Sequence, residues 1–586
     1  MDGKKLYPLT HPQKRIWYTE KLHPGTGMWN NAGTIKVKGP LNVALMEKAV
    51  NHVIKNNEAL RIRISQVDGE PFQYVNEYEQ RRLDYFDFSH TNISELYEWD
   101  SMQSQMQMPL LDNNLCYFAI VKISETECGL YSKVHHIISD AWSIVMVCNQ
   151  IMENYDRLLS SGELHELTGG SYIDYIAKEK EYIDSKRFAF DEAALNKIFA
   201  DLPEPTILKQ KKSNYTSTRA RRKACIMNKT LADKMRDYCS TKDSTVFAVY
   251  LAALCIYISR VLNKDDIIIG VPVFNRTSQE EKNTVGMFVS TVPIRIKVKD
   301  DMDFNAFVEN VSNEWFRILK HQKYPYDMLL SNLRKKNKLD ALYDITLSYQ
   351  NARFEKNTSN LYYEGRWHFA GSQVHSISIH INDREGEGRL IVDYDHLVPL
   401  FSIKEIEYIH SHCETILSDA LAYPEKKLYE LNVMPQEEWN RVLYAFNSNK
   451  ADYPMDRGLD ALFLEQVNRT PDGIALVAGK DVLTYRQLNG QVNKAAHYLI
   501  SKGVGPGGIA GIMIVRDTSL IVFILAVLRA GGAYLPIDPD YPDERVQYAL
   551  GESEAVCVIA SPHLAAKCGT VSEIIVSDIL ESLPDN

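Results

Sequence analysis

Val134-His135-His136-Ile137-Ile138-Ser139-Asp140-Ala141-Trp142-Ser143 is the stretch whose reading decides the fold. Two adjacent histidines are followed at a fixed distance by an aspartate and a small residue, with apolar residues on both flanks. Upstream, residues 117–123 and 128–134 read as two strands, the second delivering the histidines to a turn. Downstream, residues 142–158 carry apolar side chains at helical spacing. Such a turn presents a short exposed loop on a rigid scaffold. In an extended chain neighbouring side chains face opposite ways, so one histidine faces a cleft. His136 is the candidate for that role, with His135 pointing inward as a hydrogen-bonded support. Spacing alone leaves alternatives open. Two histidines at a buried strand end also suit a satisfied core. A metal site needs a third ligand, and neighbours on opposite faces rarely chelate one ion; no metal is expected. A histidine near neutral pKa, poised by a carboxylate, suits general-base work.

The chain has 586 residues, too many for one hydrophobic core, so more than one domain is expected. Apolar content of 45% and charged content of 24% are those of an ordinary globular protein. A formal charge of -10 argues against nucleic acid or an anionic membrane as the main partner. The nine cysteines are scattered without a CxxC pair, which fits free thiols in a reducing cytoplasm. Met1-Asp2-Gly3-Lys4-Lys5 does not open a signal peptide. The longest apolar run, 246–258, falls short of the ~18 residues a membrane span needs and reads as a buried helix. The expectation is a cytoplasmic, multidomain protein without a membrane span.

The histidine–aspartate stretch resembles the core motif of nonribosomal peptide synthetase condensation domains, and the other motifs of that family follow in order. Leu9-Thr10-His11-Pro12-Gln13-Lys14-Arg15-Ile16-Trp17 resembles the first, on a helix with Pro12 in its first turn. Asn56-Asn57-Glu58-Ala59-Leu60-Arg61-Ile62-Arg63 resembles the second, with Asn57 where the family usually has histidine. Ser171-Tyr172-Ile173-Asp174-Tyr175-Ile176-Ala177 resembles the fourth and opens a charged helix to about Arg187. Residues 202–222, rich in Pro, Lys, Arg, Ser and Thr, read as the connection between two halves. Val285-Gly286-Met287-Phe288-Val289-Ser290-Thr291-Val292-Pro293-Ile294-Arg295 resembles the fifth motif, with Ser290 replacing the usual asparagine. His321-Gln322-Lys323-Tyr324-Pro325-Tyr326-Asp327 resembles the sixth. Leu342 to Asn351 resembles the strand after the seventh, and Asp393-Tyr394-Asp395 the closing segment.

The resemblance implies an α/β fold: two chloramphenicol-acetyltransferase-like subdomains in a V, about 1–200 and 201–433, with a tunnel between them. It implies that His136 takes the amine proton or orients the amine. Asp140 is implied to be structural, fixing its loop through a buried arginine; Arg61 and Arg295 are the two candidates, and the sequence does not choose between them. A buried pair of this kind holds geometry well. Ala141 stands where the family mostly has glycine, which permits positive φ and close substrate approach. Ala141, Trp142, Ser290 and Asn351 are candidates for the tunnel wall. No cofactor bound by the chain itself is implied, since substrates arrive on phosphopantetheine or coenzyme A.

A second resemblance begins after Val433. Residues 434–458 resemble the linker from condensation to adenylation domains, and 459–586 the start of an adenylation domain. Leu483-Thr484-Tyr485-Arg486-Gln487-Leu488-Asn489 and Leu528-Arg529-Ala530-Gly531-Gly532-Ala533-Tyr534-Leu535-Pro536-Ile537-Asp538 resemble its first two motifs, which are mostly structural. The chain stops before the loop that would hold ATP phosphates. It therefore reads as a piece of a larger synthetase, with no amino-acid activation expected. Tyr7-Pro8-Leu9-Thr10 with Gln13 to Tyr18 is similar to the start of surfactin-type lipopeptide synthetases, and few residues precede it. This points to a starter condensation domain. The implied donor is acyl-CoA or an acyl carrier protein and the implied acceptor a peptidyl carrier protein, with downstream synthetase domains as further partners. An elongation domain using a peptidyl donor and a catalytically degenerate docking domain are the alternatives.

Overall fold

The computed structural model describes residues 4–167, 169–211, 216–335, 339, 341–352, 358, 361–384, 388–569 and 573–584. Met1 to Gly3, and Lys212 to Tyr215 of the connection between halves, lie outside them. The chain divides into two compact units, 1–446 and 447–586.

In the first unit, Cys116–Ser124 and Glu127–His135 form an antiparallel hairpin. Glu127–His135 is buried over nearly its whole length, because sheet neighbours flank it on both edges and helices cover both faces, Ile93–Gln105 on one through Leu96 and Trp99. The full sheet has five strands, in the order Tyr363–His368, Asn30–Lys38, Glu127–His135, Cys116–Ser124 and Asp84–Asp87. Val50, Ile54, Leu130, Val134, Ile144 and Ile151 share its core. They place the amphipathic helices Val43–Asn56 and Ala141–Ser160 on that sheet.

The second half has a six-stranded sheet. Its order is Ser290–Lys297, Asp266–Val273, Ile345–Gln350, Ile377–Asn382, Ile391–Leu397 and Ala220–Ile226. The apolar run in the sequence is the helix Val246–Leu262, buried from Phe247 through Ser259. Its composition is that of a core element enclosed on all sides. Among the described residues no single helix is long and apolar enough to cross a membrane.

Two features depart from the sequence reading. The halves are not contiguous in sequence, because Tyr363–His368 crosses back to pair with Asn30–Lys38. Val285, Met287 and Phe288 also pack into the first half's core. In addition, the single charged helix expected from Ser171 to Arg187 is two helices, Tyr172–Ile183 and Lys186–Ile198. Ser185 caps the second by accepting a hydrogen bond from the Phe188 N–H, a residue type that favours starting a helix over continuing one.

The second unit contains a parallel sheet, ordered Ala533–Pro536, Ile509–Met513, Cys557–Ala560 and Ile574–Val576. Helices Tyr485–Ser501 and Thr518–Arg529 pack through Val492, Leu499, Phe523 and Val527. Arg529 donates to Asp460 (2.8 Å), Asn489 (2.7 Å) and Asn493 (2.6 Å). That network gives the second adenylation-like motif a structural task.

Candidate active site

His135 and His136 stand where Glu127–His135 ends. His135 turns inward and is 2% exposed. Its Nδ1 accepts a hydrogen bond from the Ile137 N–H at 3.1 Å, so the ring proton sits on Nε2, 3.9 Å from the Glu20 carboxylate. Burial, with a smaller contribution from His136, pushes this imidazole down to about 3, which keeps it neutral. His136 turns the other way and lines a cavity between the halves. Its backbone N–H donates to the Trp29 carbonyl at 2.6 Å, and its ring meets the Trp29 ring edge-on at 6.0 Å. Its Nδ1 is buried without a hydrogen-bond partner. Burial lowers the His136 pKa, against the opposing charge of Asp140. A neutral imidazole facing the cavity is thus the resting state at neutral pH.

Asp140 does not orient that imidazole. It is the N-cap of Ala141–Ser160, and its carboxylate accepts from the Ser143 N–H (2.9 Å), the Ser143 hydroxyl (2.9 Å) and the Phe288 N–H (3.2 Å). The Arg276 Nη2 donates to both of its oxygens, at 2.9 and 3.0 Å. Both side chains of the pair are 0% exposed. Arg276 also stacks on the Phe288 ring, 3.8 Å from its centroid. The Ser143 hydroxyl oxygen in turn accepts from the Gly286 N–H at 3.0 Å. Together these contacts clamp the start of a first-half helix onto second-half residues 274–288.

Neither arginine expected to hold Asp140 does so. Arg61 donates to the Asn76 carbonyl at 2.9 Å, within its own half. Arg295 is held by Asp266 (2.6 Å) and Asp201 (2.9 Å). It lies four residues along its strand from the cavity-lining Thr291, roughly 13 Å away at strand rise. Arg276, missed in the sequence, follows the apolar strand Asp266–Val273 directly. A cation placed just after a buried strand was the available signal.

The cavity has two lobes, of about 730 and 460 Å³, with His136 and Ala141 in the walls of both. Ala141 is the first residue of its helix and is absent from the positive-φ positions. Its place therefore does not need glycine. Trp142 lines the larger lobe, donates from Nε1 to the Lys282 carbonyl (3.0 Å) and packs edge-on against Phe274. Asn351 lines the larger lobe as well. Ser290 does not line either lobe. Its neighbours Val289 and Thr291 do, as the two-residue alternation of a strand dictates.

The opposite wall carries groups that the sequence reading did not single out. Ser348 and His380 stand opposite each other on adjacent strands. The Ser348 hydroxyl and His380 Nδ1 are 2.7 Å apart, and His380 Nε2 lies 3.1 Å from Asp395. Arg222 binds Asp395 with two hydrogen bonds, at 2.7 and 2.8 Å. Burial raises the Asp395 pKa, but Arg222 and His380 outweigh it and hold the group at about 2. Asp395 therefore only accepts, so His380 Nε2 donates to it and Nδ1 accepts from Ser348. Arg15 and Arg384 line both lobes.

The family model described as "Condensation domain" matches residues 4–443, and that described as "AMP-binding enzyme" matches 463–585. Surfactin synthase subunit 1 of Bacillus subtilis (strain 168) is 35% identical over 572 residues, covering 96% of this chain and 16% of that protein. A plipastatin synthase subunit of the same organism is 33% identical over 589 residues, covering 100% and 23%. The chain thus spans less than a quarter of the length of either relative. A four-domain nonribosomal peptide synthetase bound to AMP and glycine aligns with TM-score 0.76 at 20% identity, over 99% of this chain and 46% of that one. A starter condensation domain of rhizomide synthetase in complex with C8-CoA and Leu-SNAC aligns with TM-score 0.66 at 18% identity, over 73% and 98%. The paired chloramphenicol-acetyltransferase-like halves, His136 on the cavity wall with His135 turned inward beside it, and the match over 4–443 lead to one conclusion: this chain belongs to the condensation domain family of nonribosomal peptide synthetases, and its condensation domain is followed by an adenylate-forming segment.

Proposed function

We propose that the first unit forms an amide bond, joining a fatty acyl group from acyl-CoA or an acyl carrier to an aminoacyl group on a peptidyl carrier protein. The observation that carries this reading is a neutral His136 on the cavity wall, with Nδ1 unpartnered, where two lobes meet. One lobe suits each reactant. The acceptor amine attacks the thioester carbonyl; the C–N bond forms, the C–S bond breaks, and the amine proton passes by way of His136 to the departing thiolate. Holding both reactants in one cavity supplies much of the rate by itself, and His136 adds proton transfer or orientation of the amine. Asp140 and Arg276 act by fixing the loop.

The starter reading is supported by the apolar wall of the larger lobe, where Phe274, Met287 and Val289 suit an acyl chain. The likeness to surfactin and plipastatin synthases fits it. Phosphopantetheine and coenzyme A enter as carriers of substrate, and neighbouring synthetase domains as partners. The test is intact-mass detection of acyl-aminoacyl carrier after mixing the protein with acyl-CoAs of several lengths and a loaded acceptor carrier. Product from free acyl-CoA is expected. Product only from a peptidyl-loaded carrier would make this an elongation domain, and no product from either donor would favour the docking reading.

A further inference from the structure

Four adjacent strands of the six-stranded sheet put a row of polar side chains on the face that lines the cavity. Ser348 stands on Ile345–Gln350, His380 on Ile377–Asn382, Asp395 on Ile391–Leu397 and Arg222 on Ala220–Ile226. Ser348 is directly opposite His380, and Asp395 directly opposite Arg222. Neighbouring strands lie ~4.8 Å apart, so each side chain reaches the next. Ser348 Oγ is 2.7 Å from His380 Nδ1, and His380 Nε2 is 3.1 Å from Asp395. Arg222 binds both Asp395 oxygens. With Nε2 donating to Asp395, Nδ1 is the acceptor and the Ser348 hydroxyl its donor. Gln350 Nε2 lies 3.3 Å from Ser348 Oγ and 3.2 Å from His380 Nδ1. A hydroxyl that accepts from Gln350 keeps its own proton for the imidazole. Ser348 lines the larger lobe, as His136 does, and His380 lines both. Amide formation through His136 leaves this row without a task.

We propose that Ser348 and His380 are the nucleophile and base of a second activity, hydrolysis of acyl thioesters in the cavity, with Asp395 as the positioning residue for His380. This takes from the amide-forming reading only the acyl thioester as substrate. A serine hydroxyl donating to an imidazole, whose other nitrogen is oriented by a carboxylate, is a nucleophilic triad in its roles. The ring nitrogens are used in the opposite order to that of the serine proteases. Ser348 Oγ attacks the thioester carbonyl while His380 Nδ1 takes its proton. The C–O bond forms, the C–S bond breaks, and the departing thiolate takes the proton from His380. Water then attacks the acyl-serine ester, losing a proton to His380. The ester C–O bond breaks, the carboxylic acid leaves, and Ser348 recovers its proton. Gln350 Nε2 and Arg384, whose Nε is buried without a partner on the same lobe, are the donors available to the oxyanion. Water here takes the place of the amine, so a thioester that meets no acceptor is cleared.

The first probe is a fluorophosphonate, which marks an activated serine whatever acyl group the site prefers. Intact mass of the full chain should show a phosphonyl adduct, mapped to Ser348 by peptide mass spectrometry and absent from Ser348→Ala and His380→Ala. In parallel, octanoyl-CoA or dodecanoyl-CoA without an acceptor should yield free coenzyme A and fatty acid, followed by chromatography. That release should fall about a hundredfold in His380→Ala, the worth of a positioned base, and at least as far in Ser348→Ala. Near-ultraviolet dichroism checks that both variants are folded. An unmarked Ser348 in the wild type, or release that survives in folded Ser348→Ala, would overturn the proposal. A further sample of wild type adds an aminoacyl-loaded acceptor carrier. Amide product from a protein that shows neither adduct nor hydrolysis would overturn the serine site and leave amide formation standing. Adduct and hydrolysis without amide product would support the serine site and count against amide formation.

Discussion

On the first-half wall of the cavity, Asp140 gives its carboxylate to Arg276, Ser143 and the Phe288 N–H, and His136 keeps Nδ1 unpartnered. On the second-half wall, Asp395 shares its carboxylate between Arg222 and His380, and His380 is tied on its other side to Ser348. Behind or on each wall a histidine, an aspartate and an arginine meet, wired in opposite ways, with Arg276 reaching the first set from the second half. A carboxylate near a histidine does not by itself make a triad. Where a buried arginine and backbone N–H groups offer more charge-assisted donors, the carboxylate goes to them and fixes a loop. The histidine left over is the one free to handle a substrate proton. A ring tied at both nitrogens must first break a hydrogen bond.

Cutting the two arginines sharpens this contrast most. Arg276→Ala leaves Asp140 charged and fully buried, and should cost about 3–5 kcal/mol in urea denaturation. Arg222→Ala should cost less, about 1–2 kcal/mol. Its side chain is 29% exposed, and Asp395 keeps His380. Equal losses would remove the distinction between a buried clamp and a satisfied wall.

Acid separates the walls next. The folded His135 has a pKa of about 3 against an ordinary 6.5. Below pH 6.5 the unfolded chain therefore binds a proton that the folded chain refuses. Its contribution to stability is complete above pH 6.5 and falls by ~1.4 kcal/mol per pH unit below it. Asp395 is shifted in the same direction but in a lower window, about 2 against 3.8, so its contribution is present above pH 3.8 and is lost as pH falls toward 2. His135→Gln should flatten the dependence between pH 4 and 6, and Asp395→Asn only that below pH 4. Thermal midpoints across pH test both.

The smallest effect belongs to Ala141→Gly. Ala141 already has a helical backbone, so glycine relieves no strain there. Stability should fall by about 1 kcal/mol or less, and turnover should change by no more than a few-fold.

Much of the first wall was legible in sequence, because its parts lie within ten residues and local rules govern them. The strands before His135, the helix after Asp140 and the opposite facing of the two histidines all follow from periodicity. The pairing of Arg276 with Asp140 was not legible, since it spans 136 positions and only the fold sets that distance. The second wall was hidden for another reason. Ile377-Ser378-Ile379-His380-Ile381 alternates like a strand with one solvated face, yet that polar face lines the cavity. Tyr363–His368 escaped notice because its Glu364, Gly365 and Arg366 are exposed, which leaves little apolar pattern. Nor does alternation in a strand say which half its sheet belongs to.

The central claim is that the untied histidine does the work. Its most direct test is the single-turnover rate of acyl-aminoacyl carrier formation, measured side by side for wild type, His136→Ala and His380→Ala. The account predicts a loss of about a hundredfold or more for His136→Ala, the usual worth of a positioned acid–base group, and at most about tenfold for His380→Ala. A larger loss for His380→Ala, or near-wild-type rates for His136→Ala, would contradict it.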